Sequence, residues 1–235
     1  MVPNSRRCPS TWSETLVGGG LLLALGVVSA ILSVRAGGAG QVVDAAMVDG
    51  AALLMTSHHG YLAEGWWSSE RATNLLDGSA PFYTTYRTLD GGHMAVGALE
   101  LRFYAALLQG LDLDPDDLPD QHDRSGWPQL RQLFAGVFAS RTREEWTDVF
   151  EATDACVTPV LHLSESADHP HNRHRRSFVD VSGVTQPSPA PRFSRTPTQT
   201  PGRPVAPGEH TDEILSSLGY SPGEIGMLRA SRTVA

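Results

Sequence analysis

The aromatic and β-branched run FYTTYRT (residues 82–88) is followed by Asp90-Gly91-Gly92 and then by HMAV (residues 93–96). This pattern constrains the fold more than any other in the chain. The first run suits an extended strand, and Asp-Gly supplies the positive φ of a tight hairpin turn. An antiparallel pair is therefore expected here, flanked by segments of helical period. Just ahead lies Asp77, between Leu75-Leu76 and Gly78. Aspartate before glycine most simply closes a bend or caps a helix. A carboxylate so close to apolar surface is also where a raised pKa and base chemistry can arise. Spacing alone favours the turn.

Helical patterning is plain elsewhere. Residues 21–34 are apolar and end at Gly37-Gly38, residues 41–44 are a short strand candidate, and residues 45–62 form a largely apolar helix. Over residues 98–108, Leu101, Tyr104, Ala105 and Leu108 fall at helical spacing and should bury one face. Leu130, Leu133, Phe134 and Val137 form a stripe on a helix over residues 127–139. Thr142 with Glu145, and Ser221-Pro222 with Glu224, are capping-box patterns at two further helix starts. Residues 185–207 are crowded with proline and read as an extended crossing segment.

Residues 16–34 carry no charge and follow Arg6 and Arg7. A span or a signal sequence would look similar, since a membrane crossing needs roughly 20 apolar residues. Gly18-Gly19-Gly20 and Gly26 dilute the apolar density, and a buried helix of a soluble protein, with no membrane, is the reading adopted. The net charge of −8 argues against nucleic acid as a partner. All 18 basic residues are arginine, which excludes a lysine Schiff base or a P-loop lysine. Cys8 and Cys156 offer neither a disulfide framework nor a metal motif. Cys156 reads as a buried small hydrophobe, and a reducing, cytoplasmic setting follows as the default. His169, His171 and His174 raise the question of a metal, but DHPHNRHRRSF is polar and Arg-rich and reads as a solvated loop.

Residues 74–104 (NLLDGSAPFYTTYRTLDGGHMAVGALELRFY) closely resemble the α-methylacyl-CoA racemases, within the class III CoA-transferase family. The resemblance extends to residues 18–32, 40–50, 154–161 (DACVTPVL), 189–197 (PAPRFSRTP) and 208–215 (GEHTDEIL), in the family's order. It implies an incomplete large Rossmann-like domain together with a smaller α/β domain. The expected parts are an unmatched segment 1–15, a remainder of the large domain 16–73, the small domain 74–184, and a Pro-rich crossing with returning helices 185–235. An interlocked homodimer is implied for a full-length relative.

The implied reaction inverts the carbon beside an acyl-CoA thioester by α-proton removal and return. That chemistry needs two groups of suitable pKa on opposite faces and donors for the enolate oxygen. It calls for no metal and no redox cofactor, the acyl-CoA being substrate. By resemblance the two groups are an aspartate, matching Asp77, and a histidine supported by a glutamate, for which Glu165 is the nearest match. The histidine belongs to a Gly-His-Asp word ahead of the Gly-rich helix, and nothing here matches it, nor most of the residues that hold CoA. His58, His59 and His93 read as surface residues. The chain is accordingly expected to correspond to the later part of a racemase, with impaired turnover. Two alternatives stay open. One is a class III CoA transferase, which the resemblance ties to an aspartate where this chain has Glu14-Thr15-Leu16. The other is a non-catalytic fragment or partner subunit.

Overall fold

A computed structural model describes residues 18–234. The expectations for residues 1–15, for Cys8 and for Glu14-Thr15-Leu16 lie outside the described residues. The described residues separate into two compact units, one ending at Val160 and the other beginning at Leu161.

The first unit opens with three helices, α1 (Leu22–Arg35), α2 (Met47–Leu54) and α3 (Thr56–Ala63). α1 ends as the glycines require: Gly37 has φ +91°, and the Gly38 amide donates to the Ser33 carbonyl at 2.9 Å. The expected burial of this helix is not observed. None of its residues is buried, and Leu25 and Leu32 are 64% and 61% exposed. The helix is apolar all round, and the described residues leave most of that surface uncovered. Its lead-in does touch α2, because a Cβ on Gly50 would overlap the Gly18 carbonyl oxygen. The helix expected over residues 45–62 is divided at Met55. Residues 41–44 form no strand, and Val42 is 94% exposed. A lone extended segment has no ladder partner there to satisfy its backbone.

The expected hairpin is present. Strands β1 (Tyr83–Arg87) and β2 (His93–Gly97) pair antiparallel with Arg87 opposite His93, and β3 (Val157–Pro159) joins the other side of β2. Gly91 takes φ +83° in the connection. Asp90 Oδ1 accepts hydrogen bonds from Thr88 Oγ1 (2.5 Å), from the Gly92 amide (3.3 Å) and from the Arg143 amide (3.2 Å). The last of these ties the hairpin to the start of helix α6 (Arg143–Phe150).

One face of this sheet is core. Tyr86, Met94, Val96 and Val157 point into a cluster completed by helices α4 (Leu101–Gly110), α5 (Trp127–Phe138) and α6. Phe134, Phe138 and Trp146 are fully enclosed, and Tyr86 stacks on Phe138 at 5.0 Å between ring centres. The α4 stripe is turned from the expected one. Tyr104, Leu107 and Leu108 are buried, whereas Leu101, the first helical residue, is 70% exposed. The capping box of Thr142 and Glu145 forms as expected.

The second unit carries α7 (Leu163–Ser166), α8 (Pro170–Arg175), a hairpin of β4 (Phe178–Val181) and β5 (Val184–Pro187), and helices α9 (Thr211–Ser217) and α10 (Pro222–Ala230). Ser182 and Gly183 both have positive φ, as a two-residue hairpin turn demands. β5 therefore claims the start of the proline-rich segment. The Ser221–Glu224 capping box forms at α10.

Candidate active site

Asp77 sits in the turn that leads into β1, and its carboxylate is surrounded by donors. The Thr73 amide donates to Oδ2 at 3.1 Å, and the Asn74 amide to both oxygens at 3.1 Å. The Asn74 side chain donates to Oδ2 at 2.9 Å, and the Ser79 amide to Oδ1 at 3.1 Å. Asn74 is itself fixed. It is 2% exposed, accepts from the Ser68 amide at 2.7 Å and donates to the Ser68 carbonyl at 3.0 Å. From α5, the Arg131 guanidinium donates to the carbonyls of Gly78 and Ser79. The turn is thus clamped on both sides, and Gly78 with φ +88° makes the bend possible.

This arrangement settles the electrostatics of Asp77. Partial burial works to raise its pKa. The hydrogen bonds from the Asn74 side chain and from the Asn74, Thr73 and Ser79 amides outweigh that effect and hold the carboxyl below the ordinary carboxylate range. The raised pKa that apolar neighbours suggested is therefore corrected. Asp77 is ionised at neutral pH.

A cleft of about 770 Å³ opens beside it. Its floor is the outer face of the β1–β2–β3 sheet, with Thr85, Ala95 and Thr158 in one cross-strand row and Tyr83 opposite Gly97 in the next. Asp77 and Arg71 stand at its rim, and Cys156 joins its lining. Cys156 was expected to be buried but is exposed. It precedes β3 with a left-handed backbone (φ +52°), exposed between buried Ala155 and Val157. Burial first, then the nearby Glu100 and Asp154 charges, push its pKa up, so the thiol is neutral at pH 7.

Glu165 lies in the second unit, at the third position of α7, where its carboxylate accepts from the His162 amide at 2.7 Å. His93 is exposed at the start of β2, and His59 is exposed on α3. His58 rests edge-on against the Trp67 ring at 4.7 Å. His171 and His174 fall in α8 with His169 at its cap, and among the described residues no three metal-ligating side chains converge. Reading the sequence singled out neither Asn74 nor Arg131. Asn74 could have been found from its spacing three residues before Asp77, whereas Arg131 is 53 residues from Gly78 and carries no local signal.

The sequence profile of CoA-transferase family III matches residues 7–211. α-Methylacyl-CoA racemase of Mus musculus is 47% identical over 219 residues, covering 92% of this chain and 58% of that protein. The racemase of Homo sapiens is 46% identical over 224 residues, covering 92% of this chain and 57% of that protein. The chain thus spans a little under three-fifths of the length of these relatives. A crystal structure of a CaiB/BaiF family protein from Brucella suis superposes with a TM-score of 0.66 at 20% identity, covering 86% of this chain and 54% of the other. That likeness shows the α/β fold expected from the sequence.

Proposed function

This chain belongs to CoA-transferase family III, and on that footing we propose that it serves the racemisation of 2-methylacyl-CoA thioesters, with Asp77 as one acid/base group. The observation that carries the reading is the Asp77 cradle. An ionised carboxylate, oriented by four donor groups, stands at the rim of an open cleft in a chain 47% identical to a racemase.

The chemistry follows from that carboxylate. Asp77 takes the proton from the carbon beside the thioester, and the C–H electron pair moves into an enolate whose charge rests on the thioester oxygen. A protonated group on the opposite face then returns a proton to that carbon, giving the other configuration. Asp77 finally releases the proton it gained, and the reverse reaction exchanges the two roles. The donors that keep Asp77 ionised also make it a weak base, so the enolate must itself be strongly stabilised by hydrogen bonds. Proton transfer between side chains supplies every step, and we assign no metal or redox cofactor. Acyl-CoA is the substrate.

The opposite group is, by resemblance, a histidine supported by Glu165. None of the nine histidines precedes Gly18, where that group would fall. Loss of one positioned acid/base group typically costs about 10²–10⁴ in rate. We therefore propose that these 235 residues alone turn over slowly. Residues 74–184 are read as the part that carries Asp77 and Glu165, and the working form as a homodimer. The exposed thiol of Cys156 is in keeping with a reducing cytoplasm.

The test is exchange of the α-proton of a 2-methylacyl-CoA in deuterated water. Little exchange is expected from the 235-residue chain, and recovery once a segment bearing the Gly-His-Asp word is supplied. Asp77→Asn should then abolish most of it. Undiminished exchange in Asp77→Asn would remove Asp77 from the mechanism, and CoA transfer between free acids would favour the transferase reading.

A further inference from the structure

A glycine inside a strand weakens it, because it loses the most backbone entropy and packs no side chain. Gly97 closes β2 on the outer face of the sheet, and nothing in the fold calls for a glycine there. Its φ lies outside the left-handed region. A Cβ would meet the Cys156 carbonyl oxygen at 3.8 Å and Tyr83 Cε2 at 3.9 Å, both ordinary contacts. Two other glycines of this unit differ. At Gly92 a Cβ would press on Arg143 and Thr88 at 3.1 Å, and at Gly110 it would overlap the Phe150 ring. What a side chain on Gly97 would fill is the cleft that Asp77 borders.

The rest of that floor points to the occupant. Alternation along β2 sends Met94 and Val96 into the core and leaves Ala95 and Gly97, the two smallest residues, facing out. Tyr83, Thr85, Cys156 and Thr158 surround them without a charge, while Asp77 and Arg71 keep theirs at the rim. An uncharged floor with minimal side chains suits an apolar group lying close to the backbone. The volume of about 770 Å³ is that of a small-molecule site, which commonly spans about 300–1,000 Å³.

We propose that Ala95 and Gly97 form the floor of an acyl subsite, and that Gly97 sets how large an α-branched acyl group fits beside Asp77. This rests on the thioester reading above and adds the residue that selects among thioesters. Valine at position 97 would project its two methyl groups into the space of the branched acyl group and leave the CoA portion untouched.

The experiment compares wild type with Gly97→Val and Gly97→Ala, each supplied with the segment bearing the Gly-His-Asp word, by calorimetric titration with CoA and with 2-methylpropanoyl-CoA. Alkylation of Cys156 by N-ethylmaleimide, followed by peptide mass mapping, reports where the ligand sits. In wild type, 2-methylpropanoyl-CoA should slow Cys156 alkylation more than CoA does. Gly97→Val should melt as wild type does, keep its affinity for CoA, lose about 10-fold or more for the branched thioester, and lose the protection of Cys156. Gly97→Ala should fall between the two, and it carries the comparison if the valine variant melts early. Equal affinity and protection in wild type and both variants would overturn the subsite, as would thioester binding that leaves Cys156 alkylation unchanged. Absence of any thioester binding to wild type would overturn the substrate reading itself, and the subsite with it.

Discussion

Asn74 and Asp77 are joined twice across a single turn: the Asn74 side-chain amide donates to Oδ2 at 2.9 Å, and its backbone amide reaches both carboxylate oxygens at 3.1 Å. The side-chain bond is the largest of the effects that lower the Asp77 pKa. Asn74→Ala should therefore raise that pKa, measured by following the Asp77 carboxyl carbon in an NMR titration. It should also cost about 1–3 kcal/mol in denaturant unfolding, since the Ser68 amide and carbonyl lose a buried partner. An unmoved carboxyl titration would show that the backbone amides alone set the charge of Asp77.

Arg131 acts on the same turn from outside. Arg131→Met should leave the Gly78 and Ser79 carbonyls without their charged donor and let the Ser79 amide drift from Asp77. Faster hydrogen exchange at Ser79 is expected, with a loss of about 1–3 kcal/mol in unfolding free energy. Arg131→Lys, which offers one point of charge in place of a fork, should recover only part of both.

Acid should loosen this unit in a definite window. Hydrogen bonds hold Asp77, Asp90 and Glu145 below ordinary values of 3.8 for aspartate and 4.5 for glutamate. Groups with depressed folded pKa stabilise fully above the unfolded pKa, and that contribution disappears as pH falls through the folded value. The melting temperature should stay level from neutrality to about pH 5 and fall below about pH 4. Asp77→Asn should make the acid limb shallower. Asp90 and Glu145 lie open to solvent and should matter less.

The local grammar of this chain was legible. Asp-Gly between β-branched runs gave the β1–β2 hairpin, and Thr142 with Glu145 gave the start of α6. Other features were not legible, each for a physical reason. On α4, Tyr104 and Leu108 of the expected stripe are buried and Leu107 joins them, whereas Leu101 fits the helical period yet lies at the first turn, where the core does not reach it. Apolar neighbours suggest a buried Cys156, but a left-handed backbone at φ +52°, which no local residue type announces, leaves it exposed ahead of β3. The charge state of Asp77 depends on amides and an asparagine that only the folded turn brings together, and the Arg131 clamp depends on tertiary packing. The Ser182-Gly183 turn was hidden by the prolines that follow it.

The uncovered surface of α1 has its own consequence. Gly18–Arg35 has a mean hydropathy of 1.8 and is 11% buried, long and apolar enough by length and composition to cross a membrane. Apolar area left open on this scale drives association. Leu25→Glu with Leu32→Glu should raise the soluble yield of the 235-residue chain and reduce binding of a hydrophobic dye. The unfolding of the β1–β2–β3 core should be unchanged, since neither leucine joins it. A lower unfolding midpoint in the double variant would place α1 in that core after all.

Gly110 sets propensity against packing. It ends α4, and replacing a helical glycine by alanine usually gains about 1 kcal/mol. A Cβ at this position would overlap the Phe150 ring. Phe150 cannot swing aside at low cost, because it is 3% exposed and stacks on Trp146 at 5.9 Å between ring centres. Overpacking of this kind costs about 1–3 kcal/mol and commonly exceeds the propensity gain. Gly110→Ala should therefore lower the unfolding free energy. Phe150→Leu, which withdraws the ring, should cost stability alone but reverse the sign of the Gly110→Ala effect in the double variant. A double-mutant cycle in urea measures that coupling, and additive effects would show that α6 shifts to make room without loss.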